Sequence, residues 1–119
     1  MQTIGDRAFR QEDLNSRSSD MTYSGALSFL RRKYSRDLTG VDVAIAGIPY
    51  DCATSNRPGA RFGPRGIREA STGLASLDAF PFNFNPFKYL TVVDYGDVWL
   101  DYGYTQDIVK KVEKYADNI

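Results

Sequence analysis

Residues 42–68, DVAIAGIPYDCATSNRPGARFGPRGIR, carry the reading of the fold. From Val41 to Ile48 every side chain except Asp42 is apolar or glycine. Such a run suits a strand covered on both faces, as in a parallel sheet, better than one with a solvated face. Downstream, Pro64 stands where a first helical residue is expected, because the N–H it lacks would find no partner in the first turn. Ile67, Ala70 and Leu74 then recur at helical spacing, which predicts a helix over 64–74 with an apolar stripe. A buried strand, a rigid polar loop and a helix start in one unit open an α/β protein.

Working outward, residues 1–22 hold few large apolar side chains, many charges and a Ser-rich end. They bury too little surface to offset the entropy of ordering and read as a flexible N-terminal arm, leaving 23–119 as the folded part. Ser24 is placed to cap a short helix in which Ala26, Leu27, Leu30 and Tyr34 share a face and Arg31, Arg32 and Arg36 point outward. Residues 78–89, DAFPFNFNPFKY, form an ordered aromatic loop, since two prolines forbid a continuous helix or central strand. Leu90 to Val93 predicts a second buried strand ending at Asp94, with Gly96 and Asp97 turning the chain. Finally, Thr105 caps a helix whose apolar face is Ile108, Val109, Val112, Tyr115 and Ala116, with Asp107 favouring its N-terminal dipole. Helices alternating with strands imply right-handed crossovers and a parallel sheet with helices on both faces. Two strands make a small sheet with open edges.

Composition narrows the function classes. Fifteen basic and fifteen acidic residues cancel, which argues against nucleic acid or an anionic membrane as partner. The longest apolar runs fall far short of the roughly 20 residues of a membrane-spanning helix. The single cysteine, Cys52, allows no internal disulfide and fits a reducing, cytoplasmic setting. It reads as a packed residue, because the chain has no histidine to activate it as a nucleophile.

Ligand sites of open α/β sheets lie beyond the carboxyl ends of the strands, where the loop from Pro49 to Gly63 falls. Asp51, Thr54, Ser55 and Asn56 bring acceptors and hydroxyls there, and a carboxylate attracts an amine or guanidinium. The competing reading is that these side chains hydrogen-bond the loop to itself, as in Asx and Ser/Thr turns. Arg57, Arg61, Arg65 and Arg68 beside a helix start resemble an anion cradle, or else pair with Asp51, Glu69 or Asp78. Asp94, Asp97 and Asp101 match no defined metal loop and are read as turn and cap residues.

The string GIPYDCATSNRPGARFGPRGIREAST, followed by FPFNF and LTVVDYGDV, resembles the N-terminal portion of agmatinase and related ureohydrolases of the arginase superfamily, over roughly Ser24 to Ile119. The resemblance implies an arginase-like three-layer αβα sandwich, incomplete in this chain. It also implies hydrolysis of agmatine or a related guanidino compound to urea by a hydroxide held between two Mn²⁺ ions, with trimeric or hexameric assembly. The family's metal ligands lie in Gly-Gly-Asp-His, Asp-Ala-His-x-Asp and late Asp-x-Asp segments, none of which occurs here. No catalytic or metal residue is therefore carried over, and the chain alone is expected to be inactive. Asp51, Thr54, Ser55 and Asn56 correspond to positions at the mouth of the active site and are the candidate contacts to the substrate tail. The alternative is a non-catalytic assembly or regulatory paralogue that binds a full-length ureohydrolase.

Overall fold

The computed structural model describes residues 23–74 and 78–119; the arm expected over 1–22 lies outside them. Three strands, β1 (Lys33–Tyr34), β2 (Val43–Gly47) and β3 (Val92–Asp97), form a parallel sheet in the order β1-β3-β2. Helix α1 (Gly63–Ser71) lies on the crossover from β2 to β3, and α2 (Ile108–Ala116) follows β3. Successive strand residues point to opposite faces. Asp94 meets Arg68 of α1, while Tyr95 packs edge-on against Tyr115 of α2, ring centroids 5.4 Å apart. The helices thus cover opposite faces of the sheet.

Strands β2 and β3 and helices α1 and α2 take the places the apolar patterning predicts, but β2 stands at the sheet edge and is only partly buried rather than covered on both faces. The limits of the elements also differ, for physical reasons. Strand β3 does not stop at Asp94 but runs through Gly96 and Asp97. Its carboxylate is fully buried, yet satisfied by Arg68 and by two backbone N–H groups, so the charge does not end the strand. The register pairs Ile45 with Asp94 and Ala46 with Gly96, leaving Tyr95 as a bulge. Gly96 takes φ +84° there, a conformation disfavoured for other residues.

The helix expected after Ser24 does not form. Phe29–Arg31 makes one 3-10 turn, and Lys33–Tyr34 becomes the edge strand β1. The reason is competition for backbone donors: Phe29 N–H donates to Asp94 Oδ2 at 2.8 Å and Leu30 N–H to Ser71 Oγ at 2.8 Å. Arg31 and Arg32 are buried rather than solvated, with the Arg32 guanidinium 4.1 Å from the Phe87 ring centroid.

Helix α1 starts at Gly63 with the expected proline second in its first turn, and a 3-10 turn extends it through Leu74. Its buried side is nevertheless Arg68, Ser71 and Thr72, whereas Ile67 and Leu74 are more than half exposed. Ile67 lines an open apolar groove of about 370 Å³ with Phe29, Ile45, Ile48 and Pro64, beside β2. On the α2 side, Val98, Leu100 and Ile108 bury one another, flanked by Tyr50, Val112 and Tyr115. Residues 79–89 form the expected aromatic loop: Ala79 bridges to Phe84, Asn85 Oδ1 accepts from Phe87 N–H at 2.9 Å, and Phe84 meets Tyr89 edge-on. Among the described residues no helix is long and apolar enough to cross a membrane.

Candidate functional site

Because β2 and β3 are parallel, the loops that leave them, 48–62 and 98–107, emerge at the same end of the sheet. Between them lies a depression of about 240 Å³ lined by Pro49, Arg61, Phe62, Arg65, Asp97 and Tyr102. This is the crevice position expected for a ligand in an open α/β sheet.

Asp51 is the anchor of the first loop. Its side chain is 1% exposed. Oδ2 accepts from Gly59 N–H at 2.7 Å and Arg61 N–H at 3.3 Å, and Oδ1 from Arg61 Nε at 2.7 Å. Gly59 at φ +136° lets the chain double back so that these donors converge, a conformation that excludes most side chains. Thr54 Oγ1 donates to Asp51 carbonyl oxygen at 2.8 Å and closes a turn, while the Ser55 and Asn56 side chains are exposed at the tip. Of the four candidate contacts, therefore, Asp51 and Thr54 are joined within the loop, and Ser55 and Asn56 face solvent.

Arg61 spans the crevice. Its guanidinium lies 4.3 Å from the Tyr102 ring centroid, Tyr102 stacks on Tyr50 at 6.3 Å and 9°, and the Tyr102 hydroxyl donates to Pro49 carbonyl oxygen. Burial raises the Tyr102 phenol above its ordinary value, with Arg61 pulling against it. Tyr102 carries no signal in the sequence, because it meets Arg61 across 41 residues only through the parallel pairing of two strands.

Burial alone would raise the Asp51 carboxyl. Its bonds to Arg61 and to the Gly59 and Arg61 amides outweigh that, and the group sits below the ordinary value of 3.8. A depressed carboxyl stabilises the fold above its unfolded pKa, and the contribution disappears as the pH falls through the folded one. Amide-exchange protection at Gly59 is accordingly expected to survive from neutral pH down to about 4 and to fall only below that. An NMR titration placing the Asp51 midpoint above 4 would contradict the geometry.

A second network joins Arg68, Asp94 and Asp97. Arg68, 9% exposed, donates from Nε to Asp94 Oδ2 at 2.7 Å and from Nη2 to Asp94 Oδ1 at 3.0 Å. Its Nη1 reaches Asp97 Oδ2 at 3.1 Å, and these partners raise the guanidinium pKa further above its ordinary value against the opposing effect of burial. With Arg61 and Arg68 neutralised by carboxylates, the arginines do not form an anion cradle; Arg57 and Arg65 are exposed. Asp101 has the expected turn role, accepting from Gly103 N–H at 2.9 Å. Cys52 is exposed rather than packed.

The residues present do not fit a manganese centre. The chain has no histidine, no group of three or more metal-ligating side chains occurs among the described residues, and Asp94 and Asp97 are engaged by Arg68.

A parallel sheet covered by helices on both faces, with two polar loops meeting beyond its carboxyl end, defines an α/β protein built around a crevice at that end. Residues 41–119 match the Arginase family, and the chain belongs to that family. It is 56% identical over 97 residues to an agmatinase of Chromobacterium violaceum, covering 82% of this chain and 30% of that protein. With an agmatinase of Photorhabdus laumondii it shares 38% over 112 residues, covering 89% and 36%. The crystal structure of a hypothetical agmatinase from Burkholderia thailandensis superposes with a TM-score of 0.93 at 44% identity, over all of this chain and 38% of that one. The chain thus spans about a third of the length of these relatives.

Proposed function

We propose that this chain is part of an agmatinase-like guanidino hydrolase, which converts agmatine and water to putrescine and urea. The observation that carries the reading is the 56% identity to an agmatinase. The crevice between the 48–62 and 98–107 loops is consistent with it, because it offers an entrance on the side of the sheet where α/β proteins bind small molecules. The share of this chain is the sheet, the two helices and the rim of that entrance. Two Mn²⁺ ions would supply an activated water, and their ligands belong to residues outside these 119. The assembly of such chains as trimers or hexamers, with Phe80 to Phe87 in subunit contacts, is part of the same proposal.

The test is urea release with Mn²⁺ from agmatine, with guanidinobutyrate and guanidinopropionate in parallel. The native gene product is expected to release urea from one of them, and the 119-residue chain alone to stay at the blank. Urea release by the short chain would overturn its proposed incompleteness, and inactivity of the native product toward all three would overturn the hydrolase reading. The apolar groove at Phe29, Ile48 and Ile67 favours a second reading, a non-catalytic paralogue that docks on a full-length ureohydrolase. A stable complex between the short chain and such a relative, without activity of its own, is the result that would favour it.

A further inference from the structure

We infer that Asp51, Arg61 and Tyr102 are positioning residues: they brace the 48–62 loop against the 98–107 loop, so that the exposed tip at Ser55 and Asn56 meets the substrate tail in a fixed shape. The inference rests on the hydrolase reading above and revises the part Asp51 would play in it, from contact to brace.

A carboxylate attracts a cationic ligand only with a lone pair to spare and a path to solvent. Asp51 lacks the path, with its side chain 1% exposed, and three N–H donors already take three of the roughly four lone-pair sites on its two oxygens. Arg61 is fixed at Nε by Asp51 and over its face by Tyr102, so one side chain links both loops. Tyr102 in turn is held by Tyr50 and by the carbonyl of Pro49, which returns the connection to the start of the first loop. The circuit Pro49, Asp51, Arg61, Tyr102 closes on itself, and its members Pro49, Arg61 and Tyr102 line the crevice together with Arg65 and Asp97. Breaking it at any member frees the tip without touching the reacting carbon.

Such a rim acts on the substrate's tail and not on its guanidino group. In the native gene product, Arg61→Ala is expected to raise the KM for the tailed guanidino substrate about 10-fold or more and to leave kcat within about 3-fold. The inhibition constant of guanidinium ion, which has no tail to reach the rim, should not change. Arg61→Lys keeps the charge but not the Nε geometry or the planar stack, and should restore little. Asp51→Ala should reproduce the Arg61→Ala pattern, because it opens the same circuit. A merely structural role would shift stability and all three kinetic readouts together, and would overturn the inference. Amide exchange keeps the two readings separate: Gly59 should exchange about 10-fold faster in Arg61→Ala while α1 amides are unaffected. Unchanged Gly59 exchange with unchanged KM overturns the brace. Inactivity of the unaltered protein toward every guanidino compound overturns the hydrolase reading, and the positioning role with it.

Discussion

Asp94→Ala is expected to remove about 3 kcal/mol of stability, the low end of the range for breaking a buried ion pair from one side. The carboxylate is completely buried and holds four donors: Arg68 Nε and Nη2, Phe29 N–H and Gly96 N–H. Its loss leaves the Arg68 guanidinium in a poorly solvated position with Asp97 as its remaining carboxylate. It also strands two backbone donors, each worth roughly 1 kcal/mol or more when buried without a partner. Retention of Asp97 is the reason for choosing the low end. In urea unfolding, with m of about 1–2 kcal/mol/M, the midpoint should fall by roughly 1.5–3 M. A loss below about 1 kcal/mol would mean that water reaches Arg68 and that the buried-pair argument is wrong. The double change Asp94→Leu with Arg68→Met should recover part of the loss, because no charge is then left buried, while the Phe29 and Gly96 amides remain unpaired.

Gly47→Ala is expected to cost about 2–3 kcal/mol by overpacking. A β-carbon on Gly47 would fall well inside van der Waals distance of Asp97 Oδ1 and 2.9 Å from Pro64 Cβ. Neither neighbour yields easily: Asp97 is held by Arg68, and Pro64 sits in the first turn of helix α1. The same substitution at Gly63, where nothing lies within 4 Å of an added β-carbon, should change stability by less than about 1 kcal/mol and serves as the control. Comparable midpoints for the two variants would show that β2 can shift away from β3 at this point, against the packing described.

How much was legible along the chain depends on the range of the interactions. The apolar run before the loop, Pro64, the apolar run before Asp94 and the periodic positions after Thr105 announce β2, α1, β3 and α2, because each element is marked by its own residues. The segment from Ser24 to Arg36 misleads for the opposite reason. Its helical spacing is real, but Phe29 and Leu30 donate to Asp94 and Ser71, 65 and 41 residues away. Helix α1 shows the same limit: its periodicity is correct, yet Arg68 and Ser71 are turned inward because their partners are polar groups on β3 and on the 3-10 turn. The loop after β2 is legible as a candidate site from its position at a strand's carboxyl end. That Asp51 turns inward was not, since the donors that claim it depend on Gly59 reversing the chain.

The sequence by itself determined the class of fold, because apolar strand runs and helix starts are local properties, and its motif carries the resemblance to the family. Only the tertiary structure decided which charges are spent within the protein and which remain for a ligand. Pairing Asp51 with Arg61, and Asp94 and Asp97 with Arg68, depends on strand register and helix placement. These bring groups 10 to 29 residues apart within about 3 Å of one another, a distance over which a charge-assisted hydrogen bond outcompetes water.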